Sequence, residues 1–252
     1  MDEALLSRVE DAGLNASAPP QQRWLDGWLL RYSPGKAKRA RCINALAVGR
    51  LPLQDKLRQA QAVYDEAGLP AVVRITPFTQ PAGLDAWFAE RGWTVLDDTR
   101  VMVCSRLPTS EPAALPAGTG WEPLDAAAYA QAVGDLRGSP PEQRLAHAQR
   151  LAVSPVPYRG YAIRRVDDGA ILACGQFARE ATFIGVYDVH THPQARGQGL
   201  ASVLCKRLLA LAASEGAAVA YLQVDAANDA ARRIYQRLGF ADGYAYHYRQ
   251  AP

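Results

Sequence analysis

At 252 residues, with 49% hydrophobic and 21% charged residues, the chain has the composition of an ordinary globular protein, long enough for one large domain or two small ones. A formal net charge of +3 is too small for this length to argue for a nucleic-acid or membrane-surface protein, though it suits an anionic ligand. The four cysteines, Cys42, Cys104, Cys174 and Cys205, are widely separated in apolar contexts, with no CxxC or Cys/His spacing for a metal. They read as reduced packing residues, and no metal is expected.

In chain order, the opening MDEALLSRVEDAG is acidic and helix-patterned, unlike a secretory leader. No stretch approaches the roughly 18 apolar residues that span a bilayer, so a cytoplasmic protein without membrane attachment is expected. GWLLRY (27–32) and CINALAV (42–48) read as strands. Between them Lys36, Lys38, Arg39 and Arg41 form a short basic run that lacks the aromatic interleaving of a nucleic-acid site. It reads as a solvated loop, or as a contact for a phosphate or an acidic substrate. Leu53, Leu57, Ala60 and Tyr64 recur at helical spacing. AVVRIT (71–76) is a strand, LDAWFAERG (84–92) an amphipathic helix closed by Gly92, and TVLDDTRVMV (94–103) a strand.

The proline- and glycine-rich run around 107–118 has neither helical nor strand period and reads as a linker. It divides an N-terminal domain, 1–106, from a C-terminal one, 119–252. The second domain opens with helices over 125–136 and 141–152, followed by a hairpin of 158–166 and 170–178 turning on Asp167, Asp168 and Gly169. A strand over 183–191 leads into a glycine turn and a helix over about 199–214 with Leu200, Leu204, Leu208 and Leu211 on one face. A strand (219–224), a helix (228–239) and a strand (244–249) complete the chain.

Residues 71–103 and 218–250 carry strand, loop, helix, Gly-aromatic and strand in the same order. Both their starts (218 − 71) and their Gly-aromatic pairs (239 − 92) differ by 147, which points to an internal repeat.

The turn Arg196, Gly197, Gln198, Gly199, Leu200 and Ala201 lies between an apolar strand and an apolar helix. Glycines there present bare backbone N–H groups at a helix N-terminus, where the helix carries about half a positive charge, which suits a pyrophosphate. The same turn also serves as a plain tight connection. About 30 residues on, Asn228, Ala231, Tyr235, Gly239 and Phe240 form a second block in NDAARRIYQRLGF.

These two blocks, with a strand between them, resemble the GNAT superfamily of acyl-CoA-dependent N-acetyltransferases over roughly 119–252. The turn pattern R/Q-x-x-G-x-G/A is matched by Arg196, Gly199 and Ala201. The resemblance implies an α/β (α+β) protein of two GNAT-like domains, each a mixed, mostly antiparallel sheet flanked by helices. It implies a splayed acetyl-CoA site in the C-terminal domain, between strands 183–191 and 219–224. The pantetheine would pair with the backbone of Val189, His190 and Thr191. The pyrophosphate would lie on the N–H groups of Gly197, Gln198, Gly199, Leu200, Ala201 and Ser202, with Arg196 at the rim. Asn228 caps its own helix and, by resemblance, contacts the CoA arm.

By the same resemblance Tyr235 is the general acid that protonates the departing thiolate, or, on the plainer reading, a packed helix aromatic. Asp188 and Tyr187 are the candidates for the base or the substrate side. The implied activity is N-acetylation of a primary amine by direct attack in a ternary complex. A small-molecule acceptor is favoured over a protein N-terminus or lysine, and neither nucleic acid nor membrane is expected as a partner. The alternative is a non-catalytic acyl-CoA-binding or sensing protein. In the 147-residue register Tyr235 corresponds to Phe88 and Asn228 to Pro81, so the N-terminal half reads as degenerate, without a cofactor site.

Overall fold

The computed structural model describes residues 1–33, 37–107 and 111–252. Lys36 of the basic run and residues 108–110 of the expected linker lie outside the described residues. The chain forms two compact units. The larger comprises 1–16, 102–224 and 228–243, and the smaller comprises 17–101, 225–227 and 244–252. Relative to a linear division at 106/119, residues 1–16 and 102–106 fall in the larger unit and 225–227 and 244–252 in the smaller. The N-terminal helix packs with the C-terminal portion of the chain, and the last strand with the N-terminal portion.

The smaller unit is built from β1 (Gln22–Leu25), β2 (Trp28–Arg31), β3 (Ile43–Ala45), α2 (Leu53–Glu66), β4 (Val72–Ile75), α3 (Leu84–Ala89), most of β5 (Thr94–Cys104) and the end of β11 (Ala241–Gln250). β1 and β2 are joined by the two-residue turn Asp26-Gly27, both residues with positive φ, as a tight hairpin requires. That Asp-Gly pair is the local signal for β1, a strand the hydrophobic pattern alone does not single out. β2 pairs antiparallel with β3, β3 parallel with β4, and β4 antiparallel with β11. Trp28, Leu30, Ile43, Ala60, Tyr64, Val73 and Phe88 form its core. α2 buries Lys56 along with Ala60, Val63 and Tyr64 on its inner face. The basic run is in part a short 3-10 turn, Lys38–Ala40, with Lys38 paired to Asp97 at 2.7 Å.

The larger unit contains α1 (Glu3–Ala16), β6 (Thr119–Leu124), α4 (Ala126–Arg137), α5 (Pro141–Ala152), β7 (Tyr158–Arg165), β8 (Ile171–Glu180), β9 (Phe183–Thr191), α6 (Leu200–Ser214), β10 (Val219–Asp225) and α7 (Asp229–Arg237). Strands β6 to β9 are a run of antiparallel neighbours, and β9 is parallel to β10 across the α6 crossover. Strand pairing within each unit is thus mixed and mostly antiparallel, with flanking helices, an α/β architecture. β6 begins where the sequence shows only the end of a proline-rich run.

One face of this sheet, with Ile163, Phe177, Ile184, Val186, Ala220 and Leu222, packs under Leu200, Leu204 and Leu208 of α6. The opposite face carries Ala162 and Cys174 beneath Tyr129, Val133 and Leu151 of α4 and α5. All four cysteines are buried and unbridged, as packing residues should be. The repeat register holds at the level of elements, since α2 and α6 (200 − 53), β4 and β10 (219 − 72), and β5 and β11 (241 − 94) all begin 147 residues apart.

Candidate active site

β9 and β10 pair only as far as Val186↔Leu222, yet β9 continues to Thr191 and β10 to Asp225. The two strands are therefore unpaired with each other beyond that point, and the backbone of Val189, His190 and Thr191 lies past the last pair. A β-bulge accompanies the parting. Opposite β8 the register jumps from Gln176↔Tyr187 to Cys174↔His190, so β9 carries one extra residue. Asp188 sits in that bulge with φ 52°, a left-handed conformation that aspartate tolerates better than most residues. Gly175 faces the irregularity, and a Cβ there would meet Leu204 at 2.9 Å and Val189 at 3.2 Å, so the missing side chain lets α6 lie close to the bulge.

The strand leads through a short 3-10 turn, Pro193–Ala195, into the glycine turn. Gly197 and Gly199 have φ of 77° and 76°, and a Cβ on either would meet nothing within 4 Å. The left-handed backbone explains the residue type, and the open space in front of it is what a bulky anion needs. α6 starts at Gly199 with no side-chain cap, and its first return hydrogen bond runs from Val203 N–H to the Gly199 carbonyl at 3.1 Å. The N–H groups of Leu200, Ala201 and Ser202 precede that bond and point out of the helix end. α4 and α7 differ, because Asp125 and Asn228 cap them by accepting from Ala128 and Ala231 at 2.8 and 3.1 Å. Beside the turn lies a cavity of about 330 Å³ whose wall includes Arg165, Asp167, His192, Gln198 and Leu200.

Tyr235 on α7 packs against the same apolar cluster as Val189 and Leu200. Its ring lies edge-on to Phe240, with centroids 6.1 Å apart. Burial, with Cys205 nearby, pushes its hydroxyl above the ordinary phenol range, so it remains protonated at neutral pH. Among the described residues that hydroxyl has no hydrogen-bond partner. His190 is lowered by burial and by the charges of Arg137 and Arg196, and is neutral at pH 7.

Asp188 and Tyr187 immediately precede that free stretch of β9. The Asp188 carboxylate accepts from Arg137 at 2.9 Å and from Gln176 Nε2 at 2.9 Å. His147 Nε2 stands 3.4 Å from Oδ2, near enough for charge but without hydrogen-bond alignment. Tyr129 donates its hydroxyl to the Asp188 backbone carbonyl at 3.0 Å. Burial opposes ionisation of Asp188, but His147, Arg137 and Arg150 override it and hold the carboxyl well below the ordinary range. Tyr187 is buried, with its hydroxyl 2.9 Å from that of Tyr221 and its ring 5.4 Å from Tyr158. Arg137, His147, Gln176 and Tyr129 come from α4, α5 and β8, and no spacing in the sequence marks them as a group.

A strand edge opened by a bulge and followed by an uncapped glycine turn offers backbone donors and acceptors to an extended, amide-bearing anion. The comparisons agree. Residues 128–240 match the family model described as the acetyltransferase (GNAT) family. The protein described as uncharacterized N-acetyltransferase YobR from Bacillus subtilis (strain 168) is 25% identical over 230 residues, which cover 90% of this chain and 91% of that one. Among solved structures, a GCN5-related N-acetyltransferase from Kribbella flavida superposes with a TM-score of 0.68 at 17% identity, covering 98% of this chain and 95% of that one. A tandem GNAT protein from the clavulanic acid biosynthesis pathway has a TM-score of 0.64 at 15% identity, covering 79% and 69%. Residues 128–240 therefore form an acetyltransferase domain of the GNAT family, which implies use of acetyl-CoA.

Proposed function

We propose that the larger unit transfers an acetyl group from acetyl-CoA to a primary amine by direct attack in a ternary complex. The observation that carries this reading is the parting of β9 and β10 after Val186↔Leu222, directly before a left-handed glycine turn with open space in front of it. An amide-bearing arm can add to the free strand edge at Val189, His190 and Thr191 as another strand would. The N–H groups from Gly197 to Ser202 then receive the diphosphate, with Arg196 exposed at the rim, and Asn228 lies at the start of the neighbouring helix. The residues present fit the group.

Acetyl-CoA supplies the activated thioester. Tyr235 delivers its phenolic proton to the departing sulfur as the new C–N bond forms and the C–S bond breaks. General acid catalysis at a leaving group is worth about 10² to 10⁴ in rate. Asp188, although ionised, is a weak proton acceptor because its pKa lies far below working pH, where basicity is poor. Its role in this reading is to hold the bulge, while the amine loses its proton to water or is taken up neutral.

A small-molecule amine is the favoured acceptor. The test is release of free CoA thiol from acetyl-CoA in the presence of amines, amino acids and peptides in turn. Thiol release with an amine and with none of the peptides is expected. No acceptor-dependent release from any member of the panel would remove the reading.

A further inference from the structure

The smaller unit contains the same β-strand, helix, parallel β-strand crossover as the larger, β3-α2-β4 against β9-α6-β10. In the 147-residue register set by α2 and α6, Arg50 corresponds to Gly197 (197 − 50) and Leu51 to Gln198 (198 − 51). The backbone N–H groups at those positions in the larger unit are the ones assigned to the diphosphate. In the smaller unit both are already taken. Arg50 N–H donates to Asp26 Oδ1 at 2.8 Å and to Oδ2 at 2.9 Å, and Leu51 N–H donates to Oδ2 at 2.8 Å.

We propose that the Asp26 carboxylate is an internal anion seated in a second, vestigial diphosphate cradle, so that the chain takes up one acetyl-CoA and not two. The inference rests on the acetyl-CoA reading of the larger unit.

Three features support it besides the register. Lys56, buried on α2, places its ammonium 2.9 Å from Asp26 Oδ2 and also donates to the Asp26 carbonyl at 2.8 Å and to the Val48 carbonyl. A buried cation facing an anion at a helix N-terminus is the charge arrangement of a phosphate site, and here both charges belong to the protein. Gly49 has φ 74°, and a Cβ there would run into the Asp26 carboxylate, whereas a Cβ at Gly197 or Gly199 would enter open space. Asp26 itself is held by the tight Asp26-Gly27 hairpin turn, which brings the carboxylate down on the end of β3. The corresponding β7-β8 hairpin in the larger unit leaves a cavity of about 330 Å³ against its turn.

Isothermal calorimetry of the full chain with acetyl-CoA tests the count. One site per chain is expected in the wild type and none in Gly199→Asp. Two sites in the wild type, or one surviving in Gly199→Asp, would overturn the proposal. No binding to the wild type would count against the acetyl-CoA reading itself, and the seated carboxylate is then judged by acid unfolding of wild type against Asp26→Asn. Hydrogen bonding and charge from Lys56, with the two N–H groups, lower the Asp26 pKa to about 2 from the ordinary 3.8. A lowered pKa gives stability that is complete above pH ~4 and lost as pH falls toward 2. Asp26→Asn should therefore be less stable at pH 7 and show a shallower loss between pH 4 and pH 2. Equal stability and equal slope in the two proteins would overturn the seated carboxylate.

Discussion

Arg137, in the last turn of α4, lies 2.9 Å from the Asp188 carboxylate in the bulge of β9, so an ion pair ties the helix to the point where the sheet opens. A left-handed aspartate costs backbone energy, of order 1 kcal/mol or more, and persists where its surroundings hold it. The pair, together with Gln176 and His147, supplies that hold. Asp188→Asn keeps the residue shape and its tolerance of positive φ but removes the charge. Acetyl-CoA affinity measured by calorimetry should fall roughly tenfold, the equivalent of about 1.4 kcal/mol. An affinity within twofold of wild type would show that the charge does not position the strand.

The pH dependence separates this role from proton transfer. Asp188 has a lowered pKa, so its contribution to stability is present above the ordinary carboxylate pKa near 4 and disappears only in strong acid. No limb of the kcat/KM profile between pH 5 and 9 should belong to it. The profile of Asp188→Asn should keep the wild-type limb positions, with height alone reduced. A limb that vanishes in the variant would make Asp188 the base.

Tyr235→Phe removes only the hydroxyl and leaves the ring against Phe240. Turnover should fall by about 10² or more where chemistry limits the rate, while acetyl-CoA binding stays within a few-fold. Undiminished kcat in a single-turnover measurement would return Tyr235 to a packing role.

Gly199→Asp places a carboxylate and a Cβ at φ 76° in front of the uncapped end of α6. Binding of acetyl-CoA should be lost through charge repulsion and blocked amides, while the unit stays folded because Gly199 is exposed and a Cβ there meets nothing within 4 Å. Retained far-UV circular dichroism with no heat of binding is the expected pair of results. Unchanged affinity would remove the turn from the site.

Asn228→Ala removes the cap on Ala231 N–H and should cost about 1 kcal/mol in urea unfolding. Asn228→Ser retains capping chemistry. If it also retains stability but weakens acetyl-CoA binding, the second role of Asn228 follows. Equal binding in wild type and Asn228→Ser would leave the cap as its role.

Much of the fold is legible locally. The strand at 183–191 is legible as a short apolar run buried on both faces over its first half, and the leucine stripe of α6 follows from helical periodicity because it buries one face. Gly197 and Gly199 are readable because a left-handed turn at a helix start admits few other residues. β1 and β6 are less visible, being short, largely exposed or half-buried strands without an apolar alternation.

The sequence by itself determined the order of elements, the 147-residue repeat and the glycine turn with Asn228 and Tyr235, since each depends on short-range spacing. Only the tertiary structure decided what the carboxylates do. Asp188 meets Arg137, Gln176 and His147 because residues from four separate elements converge on one bulge. Asp26 meets Arg50 and Leu51 because a hairpin folds back over the end of β3. Such contacts arise from strand register and packing at separations of 12 to 51 residues, where no local periodicity records them.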